Sequence, residues 1–217
     1  MKRIILLAAA LLAGASVFAQ SAYNFQKRSL FEALPIHSND IVFLGNSITD
    51  GCEWAELFNN RHIKNRGISA DRSGWLLDRL DPIVNGHPKK LFLLIGTNDL
   101  AAGITPEEVE ANVEKLLDRF QAESPWTKIY VQSIFPVNGE DTEAKHKKHW
   151  DKGAEIVETN RLLEALCVDR KNVTYVDVYS VLVDDRGLLD RRYTNDGLHL
   201  LAPGYLAWKT VIEKYVK

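Results

Sequence analysis

Cysteine is scarce: Cys52 and Cys167 are the only two in 217 residues. They stand far apart and match no metal-binding or dithiol spacing, so nothing in them suggests a zinc module or a redox pair. A disulfide between them stays open beside the plainer reading of two separate thiols, because sequence does not place two Cα atoms within bonding reach. An excess of charge of one sign is also lacking, with 27 basic against 29 acidic residues. That balance gives no electrostatic reason to expect nucleic acid or an anionic membrane as partner. No apolar run reaches the roughly 20 residues of a spanning helix. Low-complexity stretches and internal repeats are missing too, and with them any sign of a linker.

The longest apolar run, Ile4 to Leu12, follows Met1-Lys2-Arg3 and precedes Gly14-Ala15-Ser16 and Val17-Phe18-Ala19. Basic, apolar and small-residue segments in that order make a secretory signal peptide. Cleavage is expected after Ala19, which makes 1–19 a leader and 20–217 a single domain exported to the periplasm or secreted. Losing Lys2 and Arg3 leaves four more acidic than basic residues. A domain of that size buries a full core without staples.

Beyond the leader, apolar runs alternate with amphipathic stretches. Ile41-Val42-Phe43-Leu44 ends at Gly45, Leu91 to Ile95 ends at Gly96, Ile129 to Ile134 ends at Pro136, and Val173 to Val178 forms a fourth run. A weaker candidate, Ile63 to Arg66, ends at Gly67. Short, continuous, β-branched runs suit strands buried on both faces. Thr105-Pro106-Glu107-Glu108 reads as a capping box with proline at the first helical position. Val109, Val113, Leu116, Leu117 and Phe120 then recur at helical spacing. Ile156 to Leu166 repeats the pattern, and a last helix is expected from about Pro203. Alternating strands and helices predict an α/β protein, a three-layer α/β/α sandwich around a five-stranded parallel sheet. Ligands in such sheets bind beyond the carboxyl ends of the strands.

Those ends carry the candidate chemistry. Ser47 follows the first strand and precedes a predicted helical turn, where backbone N–H groups favour developing negative charge. Alone, such a serine is usually an N-cap. Asp196-Gly197-Leu198-His199 lies just before the final helix. Histidine suits proton transfer near neutrality, and an aspartate three residues earlier is placed to bond its Nδ1–H and leave Nε2 to face the serine. Gly67, lacking a Cβ, and Asn98, with its side-chain amide, are candidate oxyanion donors beside the Ser47 N–H.

Gly45-Asn46-Ser47-Ile48-Thr49-Asp50-Gly51, Asn65-Arg66-Gly67-Ile68-Ser69, Gly96-Thr97-Asn98-Asp99 and Asp196-Gly197-Leu198-His199-Leu200 together resemble the four sequence blocks of the GDSL/SGNH hydrolases. The match runs across roughly residues 40–215. It implies a flavodoxin-like fold and a Ser-His-Asp esterase with no metal or other cofactor. The implied triad is Ser47, Asp196 and His199, and the implied oxyanion hole is Ser47, Gly67 and Asn98. Asn46 stands where the first block commonly has aspartate. No G-x-S-x-G is present, so the α/β-hydrolase elbow does not apply.

Trp54, the run Asn65 to Arg72 and the ending Gly204-Tyr205-x-x-Trp208 resemble the platelet-activating-factor acetylhydrolase-like branch, which implies short acyl groups, acetyl above all. The expected substrate is a small-molecule or glycan ester, most simply an O-acetylated carbohydrate. A lysophospholipase or thioesterase acting on longer chains, and a non-catalytic glycan-binding protein on the same fold, are the alternatives. Asn46, Trp54, Pro136, Val137 and Asn138 are expected to line the substrate pocket, with Trp54 and Trp150 as candidate sugar-stacking faces. Trp75, Trp126 and Trp208 are read as packing residues, and Asp71 and Arg72 as a solvated helix start. His146 and His149 form an H-x-x-H pair without a third ligand in their loop and beside three lysines, so no metal is expected there. Oligomeric state stays open.

Overall fold

The computed structural model describes residues 20–140 and 146–217; the expected leader lies outside them. In chain order the elements are α1 (Ala22–Ala33), β1 (Ile41–Gly45), α2 (Ser47–Asp50), α3 (Trp54–Leu57), β2 (Ile63–Gly67), α4 (Ser73–Leu77), α5 (Asp81–Val84) and β3 (Lys90–Leu94). There follow α6 (Thr97–Ala101), α7 (Pro106–Glu123), β4 (Lys128–Gln132), α8 (Lys147–Trp150), α9 (Gly153–Cys167), β5 (Val173–Val176), α10 (Tyr179–Leu182) and α11 (Ala202–Val216).

The five strands form one sheet in the order β2-β1-β3-β4-β5, parallel throughout. Alternate residues face opposite layers because side chains on a strand alternate. Val42, Leu44, Leu91, Leu93, Ile129 and Val131 share one core with α7 and α9. Ile41, Phe43, Phe92, Leu94 and Tyr130 share the other with Trp54, Trp208 and Ile212. This is the expected three-layer sandwich, and it explains why the central strands read as unbroken apolar runs. Cys167 belongs to the first core and Cys52 to the second. Both thiols are free, so the sheet lies between them and no disulfide forms.

The helices follow from local chemistry. The Thr105 side chain accepts from Glu108 N, and Glu108 reaches back to the Thr105 N–H, the full capping box at the start of α7. In α9, Asn160 is buried and bonds both Ile134 N (2.7 Å) and Ile134 O (2.9 Å), tying the helix to the end of β4. Helix α1 has no counterpart among the sequence expectations. Trp126, expected to pack, is 82% exposed with the Lys171 ammonium 5.8 Å from its ring centre.

The strand order decides where a ligand goes. From β1 the chain crosses outward to β2 and then returns to β3 on the other side of β1. The loops after β1 and β3 therefore diverge, and the crevice between them is the switch point where open α/β sheets bind ligands. Ser47 follows β1, and Asn98 follows β3.

Candidate active site

Asn46 ends the β1 segment in an extended conformation, and its side chain accepts from Ile48 N at 3.0 Å, capping α2. Ser47 is thereby the first residue of the helix. Its Oγ lies 2.9 Å from His199 Nε2, and His199 Nδ1 lies 2.7 Å from Asp196 Oδ2. The other Asp196 oxygen accepts the N–H groups of Leu198 (2.9 Å) and His199 (2.8 Å). Burial alone would raise the Asp196 pKa. The bonds from the His199 ring and from the two backbone N–H groups outweigh it and hold the group at about 2. The 196–199 turn is locked by Gly197, whose φ is +77° and where a Cβ would lie 1.7 Å from Asn138 O. Only glycine fits there.

The second wall departs from expectation. Gly67 does not present its N–H to the crevice, because that group donates to Asn65 Oδ1 at 2.8 Å. Gly67 is required for packing instead: a Cβ would lie 2.2 Å from Asp50 N. Asn65 is a bracket that the sequence left unassigned, its Nδ2 lying within 3.0–3.2 Å of the carbonyls of Thr49, Asp50 and Cys52 at the end of α2. Three residues after Gly67, Ala70 adopts φ +64°, a left-handed conformation rare for a non-glycine residue. Asn98 Nδ2 donates to Asp71 O at 2.9 Å, which sets the Asn98 amide against this turn. Among the described residues the Ala70 N–H finds no acceptor. No sequence pattern marks an alanine as left-handed, so this donor was not foreseen.

Beneath the turn, Asp71 is not a solvated helix start. It is fully buried and paired with Arg79 at 2.7 Å, while Arg72 lies over the Trp75 ring. Arg79 also donates to Gly45 O at 3.2 Å. Asp99, fully buried too, accepts from Ser73 N (3.0 Å) and Ser73 Oγ (2.6 Å). Burial pushes its pKa up to about 6 despite those donors.

The expected pocket residues are structural. Asn46 is a buried cap. Trp54 is 1% exposed and stacked on Phe43 with ring centres 4.1 Å apart, so it offers sugar no face. Pro136 and Val137 are buried. Asn138 is buried, donating to Leu189 O and accepting from Glu140 N. Trp150 packs against Gly139 and donates to Asp196 O at 3.3 Å. A largely apolar groove of about 420 Å³ that the sequence did not indicate opens beside α2, with Cys52, Leu57, Tyr205 and Leu206 on its walls and Glu53 and Glu56 also lining it.

The H-x-x-H pair separates into two contacts. His146 Nε2 lies 3.2 Å from Asp196 Oδ2, whereas His149 Nε2 lies 3.0 Å from Asn98 Oδ1. Among the described residues one trio, His146, Asp196 and His199, brings ligand atoms within 4.8 Å of one another. A metal held there through His199 Nδ1 would replace the N–H that links His199 to Asp196.

The model of the GDSL-like lipase/acylhydrolase family matches residues 43–207. The chain belongs to that family. A solved structure from Streptococcus pneumoniae, described as a platelet activating factor, is 31% identical, with a TM-score of 0.82 over 98% of this chain and 99% of the other. Subunit alpha2 of platelet-activating factor acetylhydrolase IB from Rattus norvegicus is 28% identical over 76% of this chain and 71% of its own length. An acetyl-xylooligosaccharide esterase from Geobacillus shares the fold, with 16% identity and a TM-score of 0.65 over 83% and 95% of the chains. This family member is an enzyme that acts on esters.

Proposed function

We propose that this GDSL-family hydrolase cleaves short acyl esters, acetyl foremost, through an acyl-enzyme on Ser47. The observation that carries the reading is the unbroken run of contacts from Ser47 Oγ through the His199 ring to Asp196. His199 Nε2 takes the Ser47 proton as Oγ bonds the carbonyl carbon. The same proton passes to the departing alkoxide, and water repeats the sequence on the acyl-enzyme. Asp196, ionised throughout, steadies the imidazolium. The oxyanion meets the Ser47 N–H, the Asn98 amide and the Ala70 N–H, which replaces Gly67 in the role expected from sequence.

The acetyl group is common to the names of the mammalian relative and of the xylooligosaccharide esterase, although the latter shares only the fold. The polar residues His146 and His149 beside the triad favour a sugar ester over a lipid, and the basic–apolar leader favours an exported compartment. The apolar groove beside α2 supports a second reading, in which longer acyl chains lie along Leu57 and Leu206.

Hydrolysis of p-nitrophenyl esters of increasing acyl length, by wild type and Ser47→Ala, tests both. Turnover that is lost in Ser47→Ala and falls steeply beyond acetate supports the first reading; a rate that rises with chain length supports the second. Wild-type activity in Ser47→Ala would remove Ser47 from the mechanism. Comparable turnover on acetylated xylo-oligosaccharide would support the sugar ester.

A further inference from the structure

The α8 turn packs on α6, the short helix that carries Asn98. Two atoms of the Asn98 side chain are held. Nδ2 faces Asp71 O at 2.9 Å, and a backbone carbonyl only accepts. The amide nitrogen must therefore point to Asp71, which turns Oδ1 toward His149 Nε2, 3.0 Å away. An amide oxygen also only accepts, so the proton of the His149 ring sits on Nε2. The tautomer follows from the chemistry of the partners alone.

We propose that His149 is a positioning residue for the oxyanion hole, its Nε2–H fixing the Asn98 amide so that the second Nδ2–H points at the developing oxyanion. The inference rests on the hydrolytic reading above. Without this contact the amide is held by the Asp71 carbonyl alone, and its plane is free to swing about its last bond so that the second Nδ2–H leaves the direction of the oxyanion. Donation into Oδ1 also polarises the amide, which strengthens its N–H groups as donors.

Two further observations agree. His149 Nδ1 is buried and has no partner among the described residues. Burial, then the neighbouring His146 and His199, lower the His149 pKa to about 4, so the ring is neutral in the working range. A neutral ring adds no fixed positive charge beside His199, whose imidazole must itself become cationic during the reaction. His146, the residue before α8, serves Asp196, so the 146–149 stretch touches both the acid and the oxyanion side.

The test is a double-mutant cycle on p-nitrophenyl acetate with His149→Ala, Asn98→Ala and the pair, together with the ¹⁵N shifts of the His149 ring in the wild type. Loss of one oxyanion donor costs on the order of 10²–10³ in rate. His149→Ala is expected to lower kcat roughly tenfold or more with KM within about twofold, and to have no further effect in Asn98→Ala. His149→Gln, whose amide keeps a donor, recovers part of the loss. Equal losses in both backgrounds would make His149 a packing residue and overturn the proposal. The ring shifts decide even if p-nitrophenyl acetate is not turned over: an Nε2–H tautomer supports the proposal, and an Nδ1–H tautomer ends it. Absence of Ser47-dependent hydrolysis with the Nε2–H tautomer present would count against the hydrolytic reading alone.

Discussion

One carboxylate holds His199 twice: Asp196 Oδ2 takes the ring Nδ1 at 2.7 Å, and Asp196 Oδ1 takes the backbone N–H of the same residue at 2.8 Å. The short D-x-x-H spacing makes this possible, because three residues close a turn that brings the side chain back over its own chain. Ring orientation and backbone position are set together, and Nε2 is left aimed at Ser47.

Asp196→Asn breaks the acceptor on the ring side while leaving room for the turn. An amide oriented to accept from the backbone presents its NH₂ to Nδ1 and favours the wrong imidazole tautomer. The expected result is a fall in kcat on the order of 10³–10⁴-fold, with Tm lowered far less than the rate. Because the pKa of Asp196 is held at about 2, its contribution to stability is present above the unfolded value near ~3.9. That contribution is lost only as pH falls through about 2. Titration of Asp196 therefore leaves no inflection in kcat/KM between pH 4 and 8. A ¹³C shift of the Asp196 carboxyl that titrates between pH 4 and 8 would contradict this.

Asp99 works in the opposite direction. Its folded pKa of about 6 lies above the unfolded value, so the folded state holds the proton more tightly. The stability this gives is fully present below ~3.9 and is lost as pH rises through about 6. Two units correspond to on the order of 2–3 kcal/mol. Urea unfolding of wild type and Asp99→Asn across pH 4–7 checks it. The stability of wild type relative to the variant is expected to decline over that range and to flatten above it. A pH-independent difference would mean that Asp99 is ionised throughout.

The Asp71–Arg79 pair supports the turn that carries Ala70. Both side chains are almost wholly buried, and Arg79 also reaches the carbonyl of Gly45 at the end of β1. Arg79→Ala leaves a buried carboxylate without its cation, a loss of about 3–5 kcal/mol. Chemical denaturation is expected to show that loss, and kcat to fall with it because the Asp71 carbonyl positions Asn98. A stability change below about 1 kcal/mol would show that the pair contributes little to the folded state.

The parts legible in sequence share a reason. Strands β1, β3 and β4 are apolar on both faces because helices cover both, and α7 announces itself through Thr105, Pro106 and Glu108. Ser47, His199 and Asp196 stood out because motif and spacing coincide. β2 was weaker because Lys64, Asn65 and Arg66 interrupt it, although Arg66 is 5% exposed in the structure. Gly67 reads as a donor because a glycine is visible in a sequence, whereas the bond that takes its N–H and the left-handed turn at Ala70 are not. His146 and His149 sit in a polar stretch without periodicity, where only tertiary packing decides that one faces Asp196 and the other Asn98.

Trp54 shows the same limit from the other side, since a tryptophan beside an active-site motif reads identically whether it stacks on sugar or fills a core. Here it lies between Phe43 and Trp208, with ring centres 4.1 and 4.6 Å away, and its Nε1 donates to Thr49 O at 2.9 Å. Trp54→Ala empties that space, and truncations of this kind cost about 3–5 kcal/mol. Trp54→Phe keeps most of the contact and loses the single hydrogen bond, about 1 kcal/mol. Thermal unfolding is expected to rank the two in that order, while KM for an acetylated xylo-oligosaccharide stays within about twofold in Trp54→Phe. A large rise in KM with an unchanged Tm would return Trp54 to the substrate face, against its burial. Unchanged KM with a lowered Tm fits a residue that acts only by holding the α2 turn and, through it, Ser47.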